Sequence, residues 1–219
     1  MIRPRHRHII WDWNGTLLDD LDYSIGVMNT LLQRRGLPLL DRARYHALFD
    51  FPVRNYYERL GFDYSRDSFE QLSVEFIAGY DARRFACSLH RLAPEILAAA
   101  QAAGLTQSIL SAYRQDSLRE IVAHFRLAPY FVRVVGLDNV HAHSKSELAA
   151  ALVAELGVPR GEILLVGDTL HDLEVAQELG VDCALVAAGH HPAERLRHAT
   201  NQVFEDLPAF AKASGLGLR

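Results

Sequence analysis

The stretch Glu162-Ile-Leu-Leu-Val-Gly-Asp-Thr-Leu-His-Asp172 sets the architecture. Its first half is apolar at successive positions, as in a strand buried on both faces. Gly167 and Asp168 then break the run, and Leu170 to Leu179 carry a helical pattern that stops at Gly180, a residue suited to the left-handed backbone at a helix end. A buried strand that turns through Gly-Asp straight into a helix is half of a parallel βαβ unit.

The same rhythm recurs on either side. His8 to Trp13, Gln107 to Ser111, Phe131 to Val135 and Asp182 to Val186 read as further strands. Pro94 to Ala103, Gln115 to Phe125 and Lys145 to Leu156 read as helices, and Ser144-Lys-Ser-Glu147 fits a capping box opening the last of these. The expectation is an α/β, Rossmann-like three-layer core with a five-stranded parallel sheet wrapped on both faces.

Between residues 21 and 84 the rhythm stops. Tyr23 to Arg35 bears the helical stripe Ile25, Met28, Leu31 and Leu32, and a second long helix runs through Phe69, Leu72, Phe76 and Tyr80, with Ser65 or Asp67 as its cap. Arg42 to Leu48 and Pro52 to Leu60 read as shorter helices. The expected domains are therefore an α/β core of residues 1–20 and 85–219 and an inserted all-helical cap of residues 21–84.

Composition removes other classes. The chain has 219 residues, 49% of them apolar and 23% charged, as in ordinary globular proteins. No apolar run approaches the roughly 18 residues of a membrane span, and the basic start is followed by too short an apolar run for a secretory signal of about 7 residues or more. A cytoplasmic protein, without membrane attachment, is expected. The net charge of −4 disfavours a nucleic-acid partner. Arg3, Arg5 and Arg7 alternate with His6 and His8, a pattern open to two readings: a phosphate-binding arm, or the plainer solvated start of an edge strand. Cys87 and Cys183 form no disulfide framework. A monomer or homodimer is compatible with all of this.

Parallel α/β sheets place their chemistry at the C-terminal ends of the strands. Read there, the sequence offers Asp12 and Asn14 with Gly15 and Thr16, then Ser111 and Ala112, then Lys145, then Asp168 and Asp172. Carboxylates brought together repel one another and want a hard dication, for which oxygen-only ligands suit Mg²⁺. One of them is then a possible nucleophile toward phosphorus. Lysine, hydroxyl and backbone N–H groups are suited to hold phosphoryl oxygens.

These four pieces, in this order and on these elements, resemble the haloacid dehalogenase superfamily, specifically its phosphoglycolate-phosphatase-like branch, which Gly189-His190 also resembles. The resemblance covers nearly the whole chain, helical cap included. It implies that Asp12 attacks phosphorus and becomes an aspartyl-phosphate, and that Mg²⁺ is held by Asp12, the Asn14 carbonyl, Asp168 and Asp172. It also implies that Thr16, Ser111, Lys145 and the Ala112 backbone bind the phosphoryl group of a small phosphorylated metabolite, with the Trp13 N–H as a further donor. The family's phosphatases carry Asp, acting as acid and base, where this chain has Asn14. That substitution leaves three readings open: a slow phosphatase-like hydrolase, a dehalogenase-type hydrolase, and a catalytically impaired phosphate-ligand binding protein. Within the phosphatase reading, another acid or a substrate with a good leaving group remains open. A phosphonoacetaldehyde-hydrolase reaction needs a cap lysine, and residues 21–84 contain none.

His141, His143, His171, His190 and His191 are candidates for a replacement proton donor, and a zinc site from His141, His143 and His190 is disfavoured by the hard oxygen ligands nearby. In the insert, Arg54, Tyr56, Tyr57 and Arg59 are either a substrate grip or an ordinary helix with packed tyrosines and solvated arginines.

Overall fold

The computed structural model describes residues 1–137 and 145–217. His141, His143 and the Ser144 cap position lie outside the described residues. The chain forms two compact units, Met1–Asp19 with Ser88–Arg219, and Asp20–Cys87.

The first unit is built on strands β1 (His8–Trp11), β4 (Thr106–Arg114), β5 (Arg133–Leu137), β6 (Ile163–Gly167), β7 (Asp182–Val186) and β8 (Val203–Phe204), all parallel. Their spatial order is β5-β4-β1-β6-β7-β8, so the described sheet has six strands, not the expected five. The sixth is two residues long and pairs with Leu185 and Val186 at an edge, too short to carry any periodicity. A two-residue antiparallel pair, β2 (Leu18–Asp19) with β3 (Ser88–Leu89), stands at the junctions where the chain leaves and re-enters this unit. The order reverses beside β1: the chain runs outward through β4 and β5, then crosses back to β6 and runs the other way. The C-terminal ends of β1 and β6 therefore flank the switch point, where such sheets open a crevice.

The unit's helices are α5 (Ala93–Ala102), α6 (Gln115–His124), α7 (Lys145–Leu156), α8 (Leu170–Leu179), α9 (Ala193–Ala199) and α10 (Leu207–Ala213). Every residue of β1 is fully buried, and alternate side chains serve opposite faces. Ile10 joins Leu110 and Leu165 beneath Ala149, Leu152 and Val153 of α7 and Val175, Ala176 and Leu179 of α8. On the other face Trp11 meets Phe210 of α10 edge-on at 5.8 Å and donates to Gln107 at 3.0 Å, whose own amide donates to the Leu97 carbonyl of α5 at 2.9 Å. The C-terminal stretch around Lys212, which reads as a fraying helix end, thus contains α10, with Phe210 fully buried.

The N-terminal arginines converge on one carboxylate. Asp182 receives Arg5, His6 Nε2 at 2.8 Å and, more loosely, Arg3 at 3.9 Å. The arm is anchored to the start of β7, which speaks against a phosphate arm, but the plainer reading is corrected too: β1 is paired on both sides in the interior of the sheet, and His6 and His8 are buried, not part of a solvated edge.

The second unit holds α1 (Leu21–Arg34), α2 (Arg42–Leu48), α3 (Val53–Leu60) and α4 (Phe69–Asp81). The stripe Ile25, Met28, Leu31 and Leu32 is buried as its spacing demands. The cap of α4 is Ser68, in a reciprocal box with Gln71. Ser65 instead bonds Asp63, and Asp67 pairs with Arg35. Tyr56 and Tyr57 are each 2% exposed and belong to an aromatic cluster with Tyr45 and Phe49. Arg54 lies 4.6 Å over the Phe69 ring and pairs with Glu70 at 3.0 Å. Tyr57 and the Tyr56 ring are packed and Arg54 is paired, as in the ordinary-helix reading, while the buried Tyr56 hydroxyl has no hydrogen-bond partner among the described residues.

Candidate active site

The end of β1 is extended by one ladder bond, Asp12 N–H to the Val166 carbonyl at 2.8 Å. The chain then coils tightly. The Trp13 carbonyl accepts from Thr16, Leu17 and Leu18, and Gly15 N–H donates to the Leu18 carbonyl at 2.9 Å. Gly15 has φ +75°, and a Cβ there would stand 2.2 Å from Asp168 Oδ2. Both the backbone angle and the space require glycine. The same close approach recurs at Gly167, whose Cβ would meet the Asp172 carboxyl carbon at 2.3 Å, and at Gly189, whose Cβ would meet Asp168 Oδ2 at 2.2 Å. Three glycines from three strand ends make the space the acids occupy.

Asp12, Asp168 and Asp172 are all buried, and one ligand oxygen of each lies within 4.8 Å of the others. Asp168 accepts from the Thr16 hydroxyl at 2.9 Å and from the His190 backbone N–H at 2.6 Å. Asp172, in the first turn of α8, is held more heavily. Its Oδ2 accepts from the backbone N–H groups of Asp168 at 3.2 Å and Thr169 at 3.0 Å and from the Thr169 hydroxyl at 2.7 Å. Lys145, the first residue of α7 and 8% exposed, donates to Asp172 Oδ1 at 2.6 Å and to Asp12 Oδ1. Residues 133 positions apart in sequence thus form one buried pair.

One ammonium faces three carboxylates, and the deficit shows in the acidities. Burial, with the charges of Asp172 and Asp168 beside it, pushes Asp12 up to about 8 in spite of Lys145. Burial and Asp172 push Asp168 up to about 6, against the nearby His190. Burial alone would raise Asp172 too, but the Lys145 charge and the donors from Lys145 and Thr169 hold it below the usual carboxylate range. Lys145 loses ground to burial and regains more from Asp12 and Asp172, so its amine is held protonated. A site with oxygen donors only and more negative than positive charge fits a hard dication such as Mg²⁺.

The remaining sequence candidates fall on the same sheet edge. Ser111, 1% exposed near the end of β4, has its Oγ 3.5 Å from Asn14 Oδ1 and accepts the Tyr113 N–H at 3.1 Å; Ala112 follows it and is exposed. Thr16 Oγ lies 3.5 Å from Asp12 and 2.9 Å from Asp168. His171 turns to Glu174 at 3.3 Å. His191, fully buried, accepts the Leu170 N–H on Nδ1 at 3.0 Å and so helps cap α8. Sequence reading missed that role and the Thr169–Asp172 capping box, although Thr169 followed three residues later by an acid is the signal of one.

Comparison with known proteins fits this geometry. Over 214 residues the chain is 28% identical to N-acetylmuramic acid 6-phosphate phosphatase of Pseudomonas aeruginosa, covering 95% of this chain and 94% of that one. It is likewise 28% identical over 214 residues to a 5'-nucleotidase of the same organism, covering 94% of each. A solved haloacid dehalogenase-like hydrolase of Streptococcus pneumoniae has the same fold, with a TM-score of 0.80 at 15% identity over 96% of this chain and 100% of that one. The model of the haloacid dehalogenase-like hydrolases matches residues 9–186, a span that contains all three clustered acids, and by that match this chain belongs to that family of enzymes.

Proposed function

We propose that this hydrolase is a Mg²⁺-dependent phosphatase that cleaves a small phosphorylated metabolite through a phosphorylated Asp12. The observation that carries the reading is the buried ammonium of Lys145 shared between Asp12 and Asp172, beside a third acid, Asp168. The names of its relatives, a sugar-phosphate phosphatase and a nucleotidase, support the substrate class.

Asp12, Asp168, Asp172 and the Asn14 carbonyl are the groups that would hold Mg²⁺, which supplies positive charge against the phosphoryl oxygens and the carboxylates. The Asp12 carboxylate forms a bond to phosphorus as the bond to the leaving oxygen breaks. Lys145 offsets the charge of Asp12 and of the transferred group, and the Thr16 and Ser111 hydroxyls with the Trp13 and Ala112 N–H groups hold its oxygens. Water then takes the phosphoryl group and restores Asp12. A cytoplasmic location goes with a small-metabolite substrate, and among the described residues no helix is long and apolar enough to cross a membrane.

A panel of phosphate esters and acyl phosphates, with Mg²⁺ and with chelator, tests this. Turnover that needs Mg²⁺ and vanishes in Asp12→Asn is expected, together with a collapse of calorimetric Mg²⁺ affinity in Asp168→Asn. Metal-free dehalogenation, or ligand binding with no turnover, overturns it.

A further inference from the structure

β4 does not end at Ser111 but runs on to Arg114. Leu110 pairs with Val135 and Arg114 with Leu137, so Ser111, Ala112 and Tyr113 lie opposite the single residue Gly136. Extra residues on one strand bend it and re-aim its side chains, and such bulges recur beside active sites. A bulge also interrupts the ladder that would otherwise fix the strand, so its shape depends on other bonds.

Those bonds are supplied by the residues around it. The Gln115 carboxamide, half-buried at the start of α6, donates to the Val134 carbonyl at 3.0 Å and accepts the Gly136 N–H at 2.7 Å. In a regular parallel ladder, two such groups, two residues apart on one strand, are served by the backbone of one residue on its neighbour. A side-chain amide here does the work of a strand residue. Gly136 lets the strands close on it: a Cβ there would stand 2.5 Å from the Tyr113 carbonyl oxygen and 3.0 Å from Gln115 Cα. Inside the bulge the Tyr113 N–H donates to Ser111 Oγ at 3.1 Å. A serine hydroxyl has one proton and two lone pairs. With one lone pair facing Tyr113, the proton is directed away from that N–H, toward the side where Asn14 Oδ1 lies at 3.5 Å.

We infer that Gln115 is a positioning residue for the Ser111 hydroxyl. Its carboxamide ties the bulge of residues 111–113 to β5 and so sets the direction in which Ser111 offers its proton to a phosphoryl oxygen. This rests on the proposed role of Ser111 in holding the phosphoryl group. Gln115 acts through the backbone between them and takes no part in the reaction itself.

Calorimetric titration of inorganic phosphate into the Mg²⁺-loaded protein tests this. Ser111→Ala should weaken phosphate binding roughly 10- to 100-fold, the worth of one hydrogen bond to a charged group. Gln115→Ala should weaken it roughly 3- to 10-fold, a part of that same bond, and leave the affinity for Mg²⁺ unchanged. In a Ser111→Ala background the Gln115 substitution should add little, because the hydroxyl it aims is gone. Gln115→Met keeps the length of the side chain without its amide; it should lose as much as Gln115→Ala and serves if that variant fails to fold. Wild-type phosphate affinity in the Gln115 variants, beside a weakened Ser111→Ala, overturns the inference and leaves the phosphatase reading standing. So does an equal loss of Mg²⁺ affinity, or a Gln115 effect that persists in full without the Ser111 hydroxyl. If the wild type binds no phosphate, or Ser111→Ala binds it as the wild type does, the role proposed for Ser111 falls, and this inference with it.

Discussion

The two ends of β1 bury polar groups by opposite means. At the N-terminal end His8 is fully buried, holds Thr106 Oγ through Nδ1 at 2.7 Å, and has no partner for Nε2 among the described residues. Burial lowers its pKa to about 4, so it sits in the sheet uncharged at neutral pH. At the C-terminal end Asp12 is 7% exposed and answers burial with a counter-charge, Lys145, that it shares with Asp172. One end has given up its charge to be stable. The other concentrates charge that only chemistry needs, and strain of that kind collects at functional sites.

The largest effect should come from removing the counter-charge. Lys145→Met leaves Asp12, Asp168 and Asp172 buried together without the ammonium that Asp12 and Asp172 share. Breaking a buried pair in this way costs about 3–5 kcal/mol. Urea unfolding without divalent ions measures it, and the loss should shrink in an Asp12→Asn background, where one charge is already gone. Equal losses in both backgrounds would mean that Lys145 does not stabilise through its pairing with Asp12, leaving Asp172 or packing as the source.

pH separates the two ends by sign. Between about 4 and 6.5 the unfolded His8 binds a proton that the folded one refuses, so its contribution to stability rises with pH. Its full span is about 3 kcal/mol. Asp12 does the reverse: from its unfolded value up to about 8 the folded form binds more proton, so its contribution falls as pH rises. In metal-free protein, the stability difference between wild type and His8→Gln should grow as pH rises from 4 to 6.5. Asp12→Asn should be more stable than wild type at pH 8. A wild-type minus His8→Gln difference that stays flat over that range would show that His8 is already charged in the fold.

The strand ends were legible in the sequence because Asp12 and Asp168 each follow directly on a short apolar run, with Asp172 and Lys145 in the first turns of the helices α8 and α7. β1, β6 and β7 announce themselves as such runs, and Asp12, Ser111, Lys145, Asp168 and Asp172 all fall on one edge once the runs are taken as parallel. What escaped was whatever lacks a period. β8 and the β2–β3 pair are two residues long, and β4 runs on to Arg114, beyond Ser111, through a register shift against β5. Contacts made across the fold were equally silent: His191 capping α8, and Arg5 and His6 seated on Asp182. Those bonds join positions chosen by topology, which local pattern does not encode.

The smallest effect tests whether the charged end borrows an ordinary device. Ser68 with Gln71 and Thr169 with Asp172 are both reciprocal capping boxes, one opening α4 and the other α8. Alanine at either cap should cost about 1 kcal/mol of stability. They should part in activity. Ser68 serves only its helix. Thr169 also gives Asp172 its shortest bond apart from Lys145, the hydroxyl at 2.7 Å, so its loss loosens a carboxylate that the proposed metal site uses. Asp172 keeps two backbone N–H donors and Lys145, so the fall in Mg²⁺ affinity should be modest, within about tenfold, or about 1.4 kcal/mol. Calorimetric Mg²⁺ titration of the two alanine variants decides it: an unchanged affinity in Thr169→Ala would mean that the box caps α8 and does nothing to orient Asp172.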